Sequence, residues 1–166
     1  MDALNKQIED LIAKQVRTTT TLTKEQQLIA GGFEANQGRL PWPVEKGFIS
    51  GFFGKHQHPV HEHVTVNNKG IYLQTVSGAQ ARAIYEGEVT SCAQINGNYA
   101  VIVQHGNYRS VYSPLKKIHV KQGDKLKPKQ AIGEIATNTA EDNKTELYFQ
   151  IYKDRSILNP GLWLAQ

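Results

Sequence analysis

Leu4, Ile8, Leu11, Ile12 and Val16 recur at offsets of 0, 4, 7, 8 and 12, which sets them along one stripe of an α-helix. Asn5, Lys6, Glu9, Asp10 and Lys14 occupy the opposite side. A lone helix of about fifteen residues is marginal in water, so this stripe must pack on something. Two coverings are open: docking on the chain's own domain, or a longer coiled coil of which two heptads are the stub. The β-branched run Thr18 to Thr21 interrupts the helical pattern. Thr23 and Gln26 then have capping-box spacing and start a second short helix that runs to about Ala30, where Gly31-Gly32 is expected to stop it. Residues 33–43 read as an extended connector, because Pro41 and Pro43 exclude helix.

From residue 44 the period changes from helical to alternating. Asn67 to Gly70 form a turn before IYLQT, Asn96-Gly97-Asn98 separates EVTSCAQ from YAVIVQ, and Gly106-Asn107 leads into YRSVY. Gly123-Asp124 and Gly133 punctuate the next stretch, and TELYFQIY closes the series. Turn signals roughly every 8–12 residues between alternating segments predict a mainly β, antiparallel sandwich or barrel. The organisation is then a helical arm at 1–32, a connector at 33–43 and a β domain at 44–166. In the closing strand, alternation puts Tyr148, Gln150 and Tyr152 on one face and Leu147, Phe149 and Ile151 on the other, the second set reading as core. Segments 83–89 and 120–126 share a rhythm with lipoyl and biotinyl carrier barrels, but no lysine-bearing hairpin lies between them.

With 39% hydrophobic residues in 166, there is material for one core. No apolar run approaches the roughly 20 residues that span a bilayer, and no apolar segment behind a basic start reads as a signal peptide. Nineteen Lys+Arg against fifteen Asp+Glu is a small excess, scattered rather than gathered on one face as a nucleic-acid binder gathers it. Lys121, Lys125, Lys127 and Lys129 read as a solvated edge that discourages strand pairing. Cys92 is the only cysteine, so no intrachain disulfide forms, and it reads as a small core residue. Ser77, Ser91, Ser110 and Ser113 lack a G-x-S-x-G elbow. His105 and His119 fit strand or strand-end positions, either of them able to lie at the surface. His56, His58, His61 and His63 form H-x-H-x-x-H-x-H, in which neighbours two apart face the same way and could chelate an adventitious or structural metal.

Seven segments, PWPVEKGFISGFFGKHQHP, NNKGIYL, ARAIYEGEV, GNYAVIVQHGNYRSVYSPL, VKQGDKLKPKQAIGEIA, TELYFQI and NPGLWL, follow one another over residues 41–164. Their order resembles that of LytM-type domains, the lysostaphin-like zinc endopeptidases that cut peptidoglycan cross-bridges. The resemblance implies a metal site whose positions can be followed one by one. In the H-x-G-hydrophobic-D frame, Asn68 stands for the His and Tyr72 for the Asp. The place of the catalytic His, two residues after Tyr112, is held by Pro114. The last motif, H-L-H-F-E, reads Glu146-Leu147-Tyr148-Phe149-Gln150. Zinc catalysis needs three protein ligands and a water. Of these replacements only Glu146 is a competent ligand, so the resemblance implies a scaffold without catalytic residues or cofactor.

That degenerate pattern is similar to the EnvC-type murein hydrolase activators, in which a tyrosine also takes the second His position and a tryptophan follows Asn-Pro. The resemblance implies a periplasmic, non-enzymatic protein that binds and activates an N-acetylmuramoyl-L-alanine amidase through the inactivated groove. A coiled coil precedes the domain in that family, and a leader and most of that coil are then expected upstream of Met1. The groove is expected to present Tyr72, Tyr112, Tyr148, Gln150 and Tyr152, rings that lose little rotamer entropy on binding. The helical arm, with its apolar stripe, is a candidate to occupy that groove at rest. Two other functions remain open: a peptidoglycan endopeptidase rebuilt on the histidine tract, and a module that holds peptidoglycan without cutting it.

Overall fold

In the computed structural model of the chain, which describes residues 2–18, 21–57, 65–140 and 142–165, the apolar stripe forms one face of α1 (Asp2–Thr18). A second helix, α2 (Lys24–Ala35), starts at Thr23, whose Oγ1 accepts the Gln26 amide at 3.1 Å. The strands follow: β1 (Phe48–Gly51), β2 (Gly54–Gln57), β3 (Thr65–Asn68), β4 (Ile71–Thr75), β5 (Gln80–Arg82), β6 (Gly87–Ile95) and β7 (Asn98–His105). Then come β8 (Tyr108–Ile118), β9 (Lys125–Leu126), β10 (Ala131–Ile135), β11 (Thr137–Asn138), β12 (Lys144–Lys153) and β13 (Ser156–Leu158), with a 3-10 turn at Pro160–Leu162.

The main sheet runs β1-β4-β12-β8-β7-β6-β9, and β2 pairs with β3 in a separate ribbon. Every pairing between these strands is antiparallel. The far end of β8 leaves β12 and pairs with β10, which also pairs with β5, so the sheet folds back over its own apolar face. That face buries Leu73, Val89, Val101, Val103, Leu147, Phe149 and Ile151. The alternation expected of the last strand therefore holds.

The other face of the sheet is covered by α1. Ile8 and Ile12 are fully buried and Leu4 nearly so, against Ile95, Ala100, Ile102, Val111, Tyr148 and Tyr152, with Leu11 and Val16 at the margin. Burying each isoleucine contributes roughly 2 kcal/mol. The stripe is thus taken up by the chain's own sheet.

Three expectations need correction. Gly31-Gly32 does not stop the second helix, which continues to Ala35. Glycine inside a helix costs about 1 kcal/mol, and the extra turn is held by Phe33, fully buried and stacked on His105 and Tyr108 at 4.9 and 4.8 Å with Trp163 at 5.2 Å. A Cβ at Gly32 would lie 2.2 Å from the Tyr85 hydroxyl, so the glycine lets the helix approach that ring. Residues 33–43 accordingly begin as helix, and only the part around Leu40 and Trp42 is connector. There it is bound to the C-terminus by the Leu40–Leu164 bridge and by Trp42 Nε1 donating to the Ala165 carbonyl at 2.8 Å.

The second concerns His105, which ends β7 as expected but is wholly buried, so the surface location left open to it is not taken. Its Nδ1 lies 2.8 Å from the Glu86 carbonyl and its Nε2 2.7 Å from Ser110 Oγ. Ser110 Oγ in turn lies 2.9 Å from the Tyr112 hydroxyl, within hydrogen-bond distance. The third correction is Tyr112, expected in the groove. It stands opposite Phe149 in the β8–β12 register, and directly paired residues share a face, so its ring lies in the core at 0% exposure. Its hydroxyl accepts the Ile84 amide at 3.2 Å, and burial pushes its pKa well above the usual tyrosine value.

Replacing Phe33 by alanine empties the aromatic seat of α2 and is expected to cost about 3–5 kcal/mol, read as a lowered midpoint in denaturant unfolding. Burial lowers His105 from its ordinary 6.5 to about 4. The folded state therefore binds this proton less readily than the unfolded chain. Its contribution is complete above pH 6.5 and is lost as pH falls toward 4. Unfolding measured against pH is expected to decline across that window, and His105→Gln to flatten the decline.

Candidate functional site

The β4–β12–β8 register builds the site. Tyr148 stands opposite Tyr72 on one side and Ser113 on the other. Their alternating positions point away from the core, where Leu73, Leu147 and Tyr112 go. The rings of Tyr72 and Tyr148 lie 4.8 Å apart, inclined at 32°. Asn68, Tyr72, Pro114, Glu146 and Tyr148 all line one cleft of about 910 Å³, with Ser50, Asn96, Asn98, Ser113, Asn138 and Lys144. Leu4 of α1 closes one end of it.

Beyond Leu4, α1 lies directly on the tyrosine row. Tyr148 (1% exposed), Gln150 (0%) and Tyr152 (2%) are shut off from solvent. The Tyr148 hydroxyl donates to Asn5 Oδ1 at 2.9 Å, and Gln150 Nε2 reaches the same oxygen at 3.4 Å and the Lys69 carbonyl at 3.3 Å. Glu9 pairs with Lys69 Nζ at 2.6 Å. Near the end of the helix, Gln15 Oε1 accepts from Arg109 Nε at 2.7 Å and from Thr90 Oγ1 at 3.1 Å. Burial pushes Tyr148 up to about 12, against its hydrogen bond with Asn5. Burial, with the charge of Glu9 adding to it, pushes Tyr152 up as well. Both are neutral phenols at physiological pH.

The residues that the resemblance sets at the metal positions do not fit zinc. A zinc ligand must offer a lone pair from thiolate, imidazole or carboxylate. Asn68 donates its amide to the Phe52 carbonyl at 2.9 Å, and the Tyr72 and Tyr148 rings pack against each other at an incline, with Tyr148 protonated. Glu146 is engaged by the Ser50 hydroxyl and by Lys144 Nζ at 3.4 Å. Among the described residues, no three His, Cys, Asp or Glu side chains gather to hold a metal.

His58, His61 and His63 lie outside the described residues, and His56 is placed only as a backbone position of β2. Ser110 and His105 are within hydrogen-bond distance but sealed in the core, where no substrate reaches them. Cys92 packs half-buried at the margin of the core. The structure brings together Tyr72, Tyr148, Gln150 and Tyr152 and leaves Tyr112 on the other side of the sheet. It adds Asn5, Gln15, Lys69 and Arg109, which the sequence reading passed over. One signal was available for Arg109: a lone charge in the alternating run YRSVY, in step with Val111 and Ser113.

Two antiparallel layers with an open groove across β4, β12 and β8 are the architecture of LytM-like domains. The sequence profile of peptidase family M23 matches residues 66–160; the chain belongs to that family. It is similar to an uncharacterized protein of Neisseria meningitidis, 32% identical over 137 residues, covering 81% of this chain and 22% of that protein. It is also similar to the murein hydrolase activator EnvC of Escherichia coli, 25% identical over 138 residues, 82% of this chain and 31% of that protein. Among solved structures, a chain of the SpoIIQ–SpoIIIAH pore-forming complex matches at TM-score 0.65 and 25% identity, over 78% of this chain and 92% of that one. The chain spans about a fifth to a third of the length of the curated relatives it matches. No helix among the described residues is long and apolar enough to cross a membrane.

If the lost ligands alone account for the misfit to zinc, Asn68→His, Tyr72→Asp and Tyr148→His together supply three. The triple variant is expected to retain one more equivalent of zinc than the parent chain, measured by metal analysis after dialysis.

Proposed function

We propose that this chain is a non-catalytic M23 domain that works as a protein-binding activator of a peptidoglycan amidase in the periplasm, through the groove that in its family holds the metal. The observation that carries the reading is the row Tyr72, Tyr148, Gln150 and Tyr152 in that groove, with a helix already seated on it through Leu4, Ile8 and Ile12. A surface that holds one amphipathic helix by buried apolar anchors and a few side-chain hydrogen bonds is suited to hold another. Asn68, Tyr72, Pro114, Glu146 and Tyr148 are vestigial active-site positions in this reading, and Tyr72, Tyr148, Gln150 and Tyr152 the partner contact. The likeness to EnvC, a murein hydrolase activator, supports a murein hydrolase as partner, and the likeness to a chain of the SpoIIQ–SpoIIIAH complex supports protein binding on this fold.

α1 is then a regulatory arm, and the β domain with α2 packed on it the activating domain. With α1 on the groove, the partner's blocking segment has no seat. When α1 leaves, that segment docks and the amidase opens its own active site. The equilibrium shifts by the difference in affinity between the two occupants and by nothing else.

Dye release from purified sacculi tests this. The protein alone is expected to release nothing, and the mixture with an amidase of the same genome to release dye. Ile8→Asp, which unseats α1, is expected to raise the mixed activity several-fold, whereas Tyr148→Ala abolishes it. Release by the protein alone would overturn the reading. A second reading, that the cleft holds peptidoglycan itself, is favoured by the amides and hydroxyls of Asn68, Asn96, Asn98, Asn138 and Ser50 around its open part. Sedimentation with sacculi in the absence of amidase separates the two.

A further inference from the structure

Two cations face the helix that covers the tyrosine row beside the cleft, and α1 answers them differently. Lys69 meets a carboxylate, Glu9, in a pair that is 39% and 44% exposed and therefore screened and weak. Arg109 is only 2% exposed. It stands opposite Tyr152 in the β8–β12 register, on the groove face. No carboxylate among the described residues lies within ion-pair distance of it. Its Nε finds instead the neutral amide oxygen of Gln15, which also serves Thr90. Burial lowers the affinity of Arg109 for its proton and the nearby charge of Asp154 restores part of it, yet a guanidinium remains charged in proteins. A buried cation held by a shared neutral acceptor is under-compensated, and an ionised acceptor at that point adds direct charge attraction to the hydrogen bond the guanidinium already donates.

We propose that Arg109 is the specificity-determining residue of the groove, and that the partner segment it is built to hold is an amphipathic helix bearing a carboxylate where α1 bears Gln15. On the α1 template, that segment has three apolar anchors at four-residue intervals, in the places of Leu4, Ile8 and Ile12, and an Asp or Glu three residues after the last. Two carboxylate oxygens satisfy Arg109 and Thr90 separately, where Gln15 offers one to both. The neutral residue in α1 makes it the weaker of two similar ligands, so a partner displaces it without needing more apolar surface. The inference rests on the groove being a partner site, but not on which protein the partner is.

A labelled peptide of residues 2–18, and the same peptide with Gln15→Glu, are titrated against the full chain carrying Ile8→Asp. In parallel, amide hydrogen exchange of α1 is followed in the full chain with and without Gln15→Glu. The substitution is expected to tighten the peptide and to slow α1 exchange, each by about tenfold, and Arg109→Gln to cancel both gains. Gln15→Lys in the full chain is expected to speed α1 exchange by a similar factor. Equal affinities and equal exchange rates with glutamine and glutamate, or a gain that survives Arg109→Gln, overturn the proposal. If Ile8→Asp or Arg109→Gln fails to fold, the exchange rates of the Gln15 variants decide alone. No amidase is present, so failure here and failure of the activator reading are separate results.

Discussion

The pairing of β12 with β4 on one side and β8 on the other fixes everything that happens in the groove. Side chains alternate with period two, so a slip of one residue would carry Tyr148, Gln150 and Tyr152 into the core and bring Leu147, Phe149 and Ile151 out. The slip is opposed from within by Phe149 and Tyr112, whose rings lie 5.3 Å apart on the core side. Tyr112 is tied further by its hydroxyl to Ser110 and to the Ile84 amide. The buried chain from the Glu86 carbonyl through His105, Ser110 and Tyr112 is in that sense what aims the groove, although none of its members touches a ligand.

On the groove side the same register sets Tyr72 against Tyr148, their rings 4.8 Å apart and inclined at 32°. The two rings and their hydroxyls make an amphipathic floor. A helix can cover such a floor: its apolar anchors bury against Ile102 and Val111, while Asn5 reaches the tyrosine hydroxyl.

The strands, the stripe of α1 and the two faces of β12 were legible because each is written in periodicity, which local backbone geometry enforces. The N-cap at Thr23 was legible for the same reason. Its Gln26 was only half so: the side chain does not return to the cap but accepts the Gly106 amide at 2.7 Å, a contact 80 residues away in sequence. Tyr112 was misplaced because its face depends on which strand it pairs with, and pairing is not local. The extension of α2 past two glycines failed likewise, since the residues that hold Phe33 come from β7, β8 and the C-terminus. Arg109 carried a visible oddity, but its meaning required knowing that Gln15 lies above it.

The polar contacts beneath α1 set how firmly it is held. Its apolar anchors alone would make a permanent helix, as in any domain core. Against them stand a buried arginine with a neutral acceptor and a buried polar atom, Gln150 Oε1, that finds no partner among the described residues. Such an atom costs roughly 1–3 kcal/mol, comparable to the gain from one buried isoleucine. The sheet does not share this penalty on its core face, where His105, Ser110 and Tyr112 satisfy one another. The two faces of one sheet therefore differ in kind. One is closed by complementary groups and stays closed, and the other is closed by a helix that leaves polar demands unmet.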